Sequence, residues 1–231
     1  MSTRLVLFDL DGTLLDTAPD LAAALNLQRA EHKLAPLPFA RIRPEVSHGS
    51  PALLRLGFGI RHDDSRYAGM RARLLAIYRE RLSRETRFFP GTEALLASIE
   101  QRGLRWGVVT NKPAALTEPL LDAFQLRERA VCVVCADSCV RRKPEPDGLL
   151  RACAFAATAP AESLYVGDAR EDVLAAHAAG MSVALALYGY LGADDEPGSW
   201  QADYLLSRPA DLLAVFADPP AIAAARPDVN A

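Results

Sequence analysis

Short apolar runs and helical periods alternate along most of this chain. Candidate strands built on short apolar runs fall at residues 4–10, 106–110, 131–135, 163–166, 183–187 and 204–206. Each has the length of a strand and lacks the polar alternation of a half-exposed one. Between them, apolar positions recur at helical spacing over residues 91–102, 114–124, 147–157, 172–179 and 210–216. Apolar strands alternating with helices predict a mainly parallel sheet covered on both faces. The expected fold class is α/β, with a doubly wound, Rossmann-like core.

The alternation fails over residues 18–84, where no strand pattern is found. Helical periods cover 19–32, 38–46, 51–56 and 63–83, and Pro19 and Pro51 suit first-turn positions. The expected organisation is a core of residues 1–17 and 85–217, with a helical cap at 18–84 inserted after the first strand. Residues 218–231 are rich in Pro and Ala without a period, and poor order is expected there. A length of 231 residues suits one core with a smaller insert.

Composition narrows the function. Half the residues are hydrophobic, enough for a sizeable core, and the net charge of -3 argues against a nucleic-acid binder. The charge is uneven. Residues 18–84 hold twelve Lys or Arg against six Asp or Glu, so the rest of the chain is acidic. A basic insert beside an acidic core fits capture of an anionic small molecule, although solvated helix faces would give the same balance. The first apolar run stops at Asp9, short of a signal-peptide core, and no run approaches a membrane span. Cys132 and Cys135 form a CxxC pair inside a strand pattern, where odd spacing sends the side chains to opposite faces. They read as buried structural cysteines in a reducing cytoplasm.

The chemistry gathers at predicted strand ends, where doubly wound sheets bind ligands. After the first strand come Asp9, Leu10, Asp11, Gly12 and Thr13; after the second, Thr110, Asn111 and Lys112; after the third and its loop, Arg142, Lys143 and Pro144. After the fourth come Gly167 and Asp168, with Asp172 four residues on. Clustered carboxylates repel unless a cation joins them, and all-oxygen ligands favour Mg2+ over zinc. Asp9 and Asp11, two apart, would point the same way, and Gly12 permits a sharp turn. A carboxylate attacking a phosphate faces about 4 kcal/mol of repulsion per charge pair at 4 Å and a dielectric of 20. Mg2+ and Lys143 would offset it. Asp9 is the expected nucleophile and Asp11 the expected acid/base. Thr110 and the Asn111 amide would hold phosphate oxygens. Asp168 would ligate the metal, and Asp172 would support it directly or through other ligands. Singly, each has a bland reading as a cap, turn or surface residue.

These residues resemble the haloacid dehalogenase superfamily, whose hydrolases carry a DxDGT loop, a Ser/Thr loop, a Lys and a GDxxxD loop. The resemblance implies a metal on Asp9, on the Asp11 backbone carbonyl and on Asp168, with Gly12 and Thr13 in the phosphate loop. It also implies that the insert is a cap of the C1 type. FDLDGTLLDTAPDLAAALN at 8–26, VVTNKP at 108–113, KPEP at 143–146 and YGY at 188–190 look like phosphoglycolate phosphatases. WGVVTNKP and the stretch from Pro197 through Trp200 to Asp203 also resemble N-acetylmuramic acid 6-phosphate phosphatases. The cap loop Ser47-His48-Gly49-Ser50 departs from the glycine-rich loop expected of this branch, and Ser47 and His48 are candidate substrate contacts.

The expected enzyme is a cytoplasmic Mg2+-dependent phosphatase acting on a small phosphorylated metabolite, 2-phosphoglycolate first. It would act as a monomer or homodimer, with no nucleic-acid or membrane partner. N-acetylmuramic acid 6-phosphate and a β-phosphoglucomutase-like reaction are the alternatives. A dehalogenase would not need the DGT pattern or the metal. A phosphonatase needs a Schiff-base lysine, and Lys33, the only cap lysine, lacks a signature around it. A response-regulator receiver would be far shorter. A silent binding protein would have lost Asp9, Asp11, Lys143 or an acidic-loop Asp. No P-loop, dinucleotide glycine motif or HExxH occurs.

Overall fold

A computed structural model describes residues 3–217. Six parallel strands form the main sheet: β1 Leu5–Phe8, β4 Arg105–Val109, β5 Val133–Val134, β6 Ser163–Gly167, β7 Ser182–Ala186 and β8 Tyr204–Leu206. Their order is β5-β4-β1-β6-β7-β8. The chain builds outward from β1 to one edge, then returns to β1 and builds to the other. Such a reversal opens a crevice beyond the carboxyl ends of the central strands.

Pleating explains why these strands read as unbroken apolar runs. Leu5 and Leu7 face one layer with Val109, Tyr165, Val183 and Leu185. Val6 and Phe8 face the other with Trp106, Val108, Leu164 and Val166. Both layers are buried. Helices α7 (Asp147–Phe155) and α8 (Arg170–Ala178) cover the first face; α5 (Thr92–Gln101), α6 (Ala114–Ala123) and α9 (Leu212–Ala217) cover the second. Helix α8 starts two residues before the predicted 172, because the Asp172 side chain accepts the Ala169 N–H at 3.0 Å and caps the first turn. The predicted third strand shrinks to two residues.

Between β2 (Leu15–Asp16) and β3 (Arg87–Phe88) the chain forms four α-helices: α1 Ala18–Glu31, α2 Phe39–Ile42, α3 Gly49–Phe58 and α4 Tyr67–Arg81, an insert in the order of the sheet. These helices bury a separate apolar cluster that also takes Phe89, Leu116 and Tyr190 from the core side. The sequence pattern did not reveal how the insert is anchored. β2 and β3 pair antiparallel, so the two crossings run side by side. Beside them the buried Asp20 carboxylate accepts both the Glu85 and Thr86 amides and the Thr86 hydroxyl, at 2.8–3.1 Å.

The four cysteines are free thiols. Cys132 packs with the α7 layer, while Cys135 lies outside it beside Thr117 of α6, the opposite-face arrangement expected. Burial pushes the Cys132 thiol up to about 11, an inert state. The predicted tail at 218–231 lies outside the described residues.

Candidate active site

Three strand ends, those of β1, β4 and β5, open on one cavity of about 650 Å³, and the acidic loop after β6 packs beside Asp9. Its lining includes Asp9, Asp11, Thr110, Asn111, Lys112 and Lys143 from the core. Ser47, His48, Arg71 and Tyr78 come from the helical insert.

Asp9 ends β1. Its Oδ1 lies 3.0 Å from Lys143 Nζ, yet this buried oxygen accepts no hydrogen bond among the described residues. The contact is ionic and off-axis. Lys143 Nζ donates instead to Asp172 Oδ1 at 2.6 Å and to the Tyr165 hydroxyl at 2.8 Å. The Tyr165 hydroxyl lies 2.9 Å from the Val109 carbonyl, which seats this cluster on the sheet itself. Asn111 clamps the Lys143 backbone, donating to its carbonyl at 3.0 Å and accepting its amide at 3.1 Å. The Thr110 hydroxyl accepts the Lys112 amide at 3.2 Å, which shapes the turn.

Asp11 takes a different lysine. Lys112 Nζ donates to both carboxylate oxygens, at 2.9 and 3.1 Å. The Thr17 hydroxyl donates to Asp11 Oδ1 as well. Asp9 and Asp11 thus share the cavity, as their spacing predicts, but each has its own cation.

Asp168 is held by three donors: Thr13 Oγ at 3.1 Å, Ser47 Oγ at 2.8 Å and the Tyr190 amide at 3.0 Å. The approach is close because Gly12 has φ +82° and a Cβ there would lie 2.3 Å from Asp168 Oδ2. Ser47 is therefore turned onto the acidic loop, while His48 lines the cavity beside it. The Tyr190 ring carries the link onward, its hydroxyl accepting the Thr17 and Ala18 amides at 2.6 and 3.0 Å.

The electrostatics ask for a cation. Ligand oxygens of Asp9, Asp168 and Asp172 lie within 4.8 Å of one another. Burial pushes the Asp9 carboxyl up to about 6, against the pull of Lys143 and with the push of Asp172 and Asp11. Burial, with Asp172 and Asp9 beside it, pushes Asp168 up to about 7. Burial would depress both lysines; Asp11 and Tyr78 around Lys112, and Asp172 and Asp9 around Lys143, outweigh it and hold both above the usual lysine range. An all-oxygen donor set with an unsatisfied Asp9 oxygen fits a hard divalent ion such as Mg2+. Asp172 fits that role less directly, since Lys143, Tyr165 and the Ala169 amide already occupy its oxygens.

Several of these partners escaped the sequence reading. Lys112 sits in the Thr110-Asn111-Lys112 turn, and a lysine so soon after an apolar strand is a usable signal. Tyr165 lies within an apolar strand, and Tyr78 within a helix, with nothing in the pattern to mark either.

Known proteins resemble this chain in sequence and fold. The haloacid dehalogenase-like hydrolase model matches residues 6–186. An N-acetylmuramic acid 6-phosphate phosphatase of Pseudomonas aeruginosa is 40% identical over 216 residues, covering 94% of this chain and 96% of its own. A phosphoglycolate phosphatase of Xanthomonas campestris is 42% identical over 209 residues, covering 90% and 94%. A protein described as a predicted phosphoglycolate phosphatase from Haemophilus somnus 129PT superposes with a TM-score of 0.83 at 26% identity, over 93% of this chain and 98% of its own. With a family match over most of its length and phosphatases among its near relatives, the chain belongs to the haloacid dehalogenase-like hydrolases and is a phosphatase.

Proposed function

We propose that this enzyme cleaves phosphate monoesters of small carboxylic acids through an aspartyl-phosphate on Asp9. The observation that carries the reading is the Asp9–Lys143 contact of 3.0 Å on the wall of the shared cavity. Asp9 attacks phosphorus, and the ester P–O bond breaks as the Asp9–phosphorus bond forms. Asp11 protonates the departing alkoxide, then takes a proton from the water that opens the acyl phosphate. Lys143 offsets the charge of the phosphoryl oxygens, and Thr110, the Asn111 amide and the residues 12–13 loop bind them. Asp9, Asp168 and the Asp11 carbonyl would hold Mg2+, which when bound neutralises charge on the phosphoryl group. Asp172 acts through Lys143. Residues 18–84 serve as a cap over the core of 1–17 and 85–217.

The acid on the substrate is inferred from cavity cations. Arg71 and Arg142 line the cavity, and neither has an ion-pair partner among the described residues. A guanidinium without a carboxylate partner in a binding cavity suits a substrate carboxylate. Both 2-phosphoglycolate and N-acetylmuramic acid 6-phosphate carry one. The first is the proposed substrate. The size of the cavity, ample for a sugar phosphate, favours the second as the alternative. The free, buried thiols support work in a reducing cytoplasm.

The test is a phosphatase panel with both compounds, with and without Mg2+. Hydrolysis that survives Asp9→Asn or chelation would sink the mechanism. The reading of Arg71 requires that Arg71→Ala lower kcat/KM on these acids about tenfold or more while sparing p-nitrophenyl phosphate.

A further inference from the structure

Lys112 is a buried cation with no part in the mechanism above, and its three contacts join the core to the insert. Its side chain is 6% exposed. The ammonium donates to both Asp11 oxygens and, at 2.9 Å, to the hydroxyl of Tyr78 on α4. It also lies 4.6 Å from the centre of the Tyr78 ring. Tyr78 is fully buried among the helices of the insert. The other donor to Asp11 is Thr17, the residue before α1. Among the described residues, every hydrogen bond to the Asp11 carboxylate therefore comes from, or is backed by, a residue at or inside the insert.

A buried ion pair placed only for stability would sit anywhere and contact any carboxylate, and such pairs contribute little net stability. This one is bidentate on the acid/base, inside the substrate cavity, and anchored on the element that covers that cavity. We infer that Lys112 is the positioning residue for Asp11, linking its orientation to the seating of the insert through Tyr78. The inference rests on the reading of Asp11 as acid/base. It adds that the proton donor is aimed by Lys112 and Tyr78 rather than by its own loop. When α4 is seated, the Tyr78 hydroxyl holds Lys112, and Lys112 holds the carboxylate. When α4 shifts, both contacts go together.

Leaving groups provide the readout. An alkyl phosphate needs a proton on its departing oxygen, whereas p-nitrophenyl phosphate releases a phenolate that does not. Measure kcat/KM for Lys112→Met, Lys112→Arg, Tyr78→Phe and Asp11→Asn on p-nitrophenyl phosphate. Measure the same variants on whichever of 2-phosphoglycolate and N-acetylmuramic acid 6-phosphate is turned over. The expected loss for Lys112→Met is roughly 10²-fold on the alkyl ester and only several-fold on the aryl ester. Lys112→Arg recovers most of it, and Tyr78→Phe shows the same selectivity at smaller size. Equal losses on both esters would overturn the inference, as would no loss at all. If Lys112→Met fails to fold, Tyr78→Phe carries the same comparison. Selectivity in Asp11→Asn but not in the Lys112 and Tyr78 variants overturns this inference alone. Its absence in Asp11→Asn overturns the acid/base reading and the inference with it.

Discussion

Lys143 points its ammonium at Asp172, 2.6 Å away, more closely than at Asp9, 3.0 Å away. The two partners come from different strand ends, so the lysine bridges the loop after β1 and the acidic loop after β6. Asp172 Oδ1 also takes the Tyr165 hydroxyl, and its Oδ2 caps α8. With its oxygens occupied in this way, Asp172 is proposed to aim the lysine rather than to hold a metal.

Asp172→Asn is accordingly expected to lower kcat by about 10–100-fold while the Mg2+ concentration for half-activity changes little. Asp168→Asn should do the reverse, raising that concentration by a similar factor. Mg2+ titrations of steady-state rates on both variants check the contrast. A large Mg2+ shift in Asp172→Asn would make it a direct ligand.

The metal-free enzyme should lose stability as pH rises. Asp9 titrates at about 6 and Asp168 at about 7 in the folded protein. An unfolded aspartate titrates near 4. Between these values the folded state binds more protons, so its stability falls as pH climbs through the window. In chelator, Tm is expected to drop by several degrees from pH 5 to pH 8. Added Mg2+ should restore it at pH 8 and do little at pH 5. Thermal melts across this range decide the matter, and a chelated protein with a flat profile would refute the prediction.

Gly12→Ala places a Cβ 2.3 Å from Asp168 Oδ2 at φ +82°. Asp168 is buried and bonded on both oxygens, so it cannot swing away freely. The expected cost is about 1–3 kcal/mol of backbone strain, with most activity lost because the acidic loop is displaced. Melting curves together with rates test this; a variant with normal rates would mean that the loop tolerates the shift.

Asp20→Ala removes the acceptor for the Glu85 and Thr86 amides and the Thr86 hydroxyl. Bonds to a buried carboxylate are each worth about 1.5–3 kcal/mol, and the orphaned amides add a desolvation cost. A fall in Tm of roughly 10 °C is expected. Cleavage by a protease near residues 83–87 should appear before cleavage in the sheet, since the base of the insert loosens first. Unchanged melting would show that β2 and β3 suffice.

Much of the frame was legible from side-chain pattern alone. Leu5, Val6, Leu7 and Phe8 form an unbroken apolar run because both faces of β1 are covered, and the run of helical periods at 18–84 marks the insert. Asp9, Asp11, Thr110 and Asp168 stood out because each is a polar residue at or just past the end of such a run, with Lys143 and Asp172 in the loops that follow two of them. Element ends were less legible. The Asp172 side chain decides where α8 begins, and the β2–β3 ribbon is too short to leave a period.

By itself, the sequence determined which groups end the strands, and hence that carboxylates, a hydroxyl and lysines meet at one crevice. That follows from local rules: strand period, helix period and the topology of alternating elements. Only the tertiary structure decided how those groups pair. Lys143 serves Asp9 and Asp172, Lys112 serves Asp11 and Tyr78, and Ser47 serves Asp168. These partners lie 29 to 134 residues apart or on the insert, and no periodicity along the chain records a contact at that range. Pairing is set by which side chains the packed layers bring within hydrogen-bond reach, and by the cost of leaving any buried charge alone.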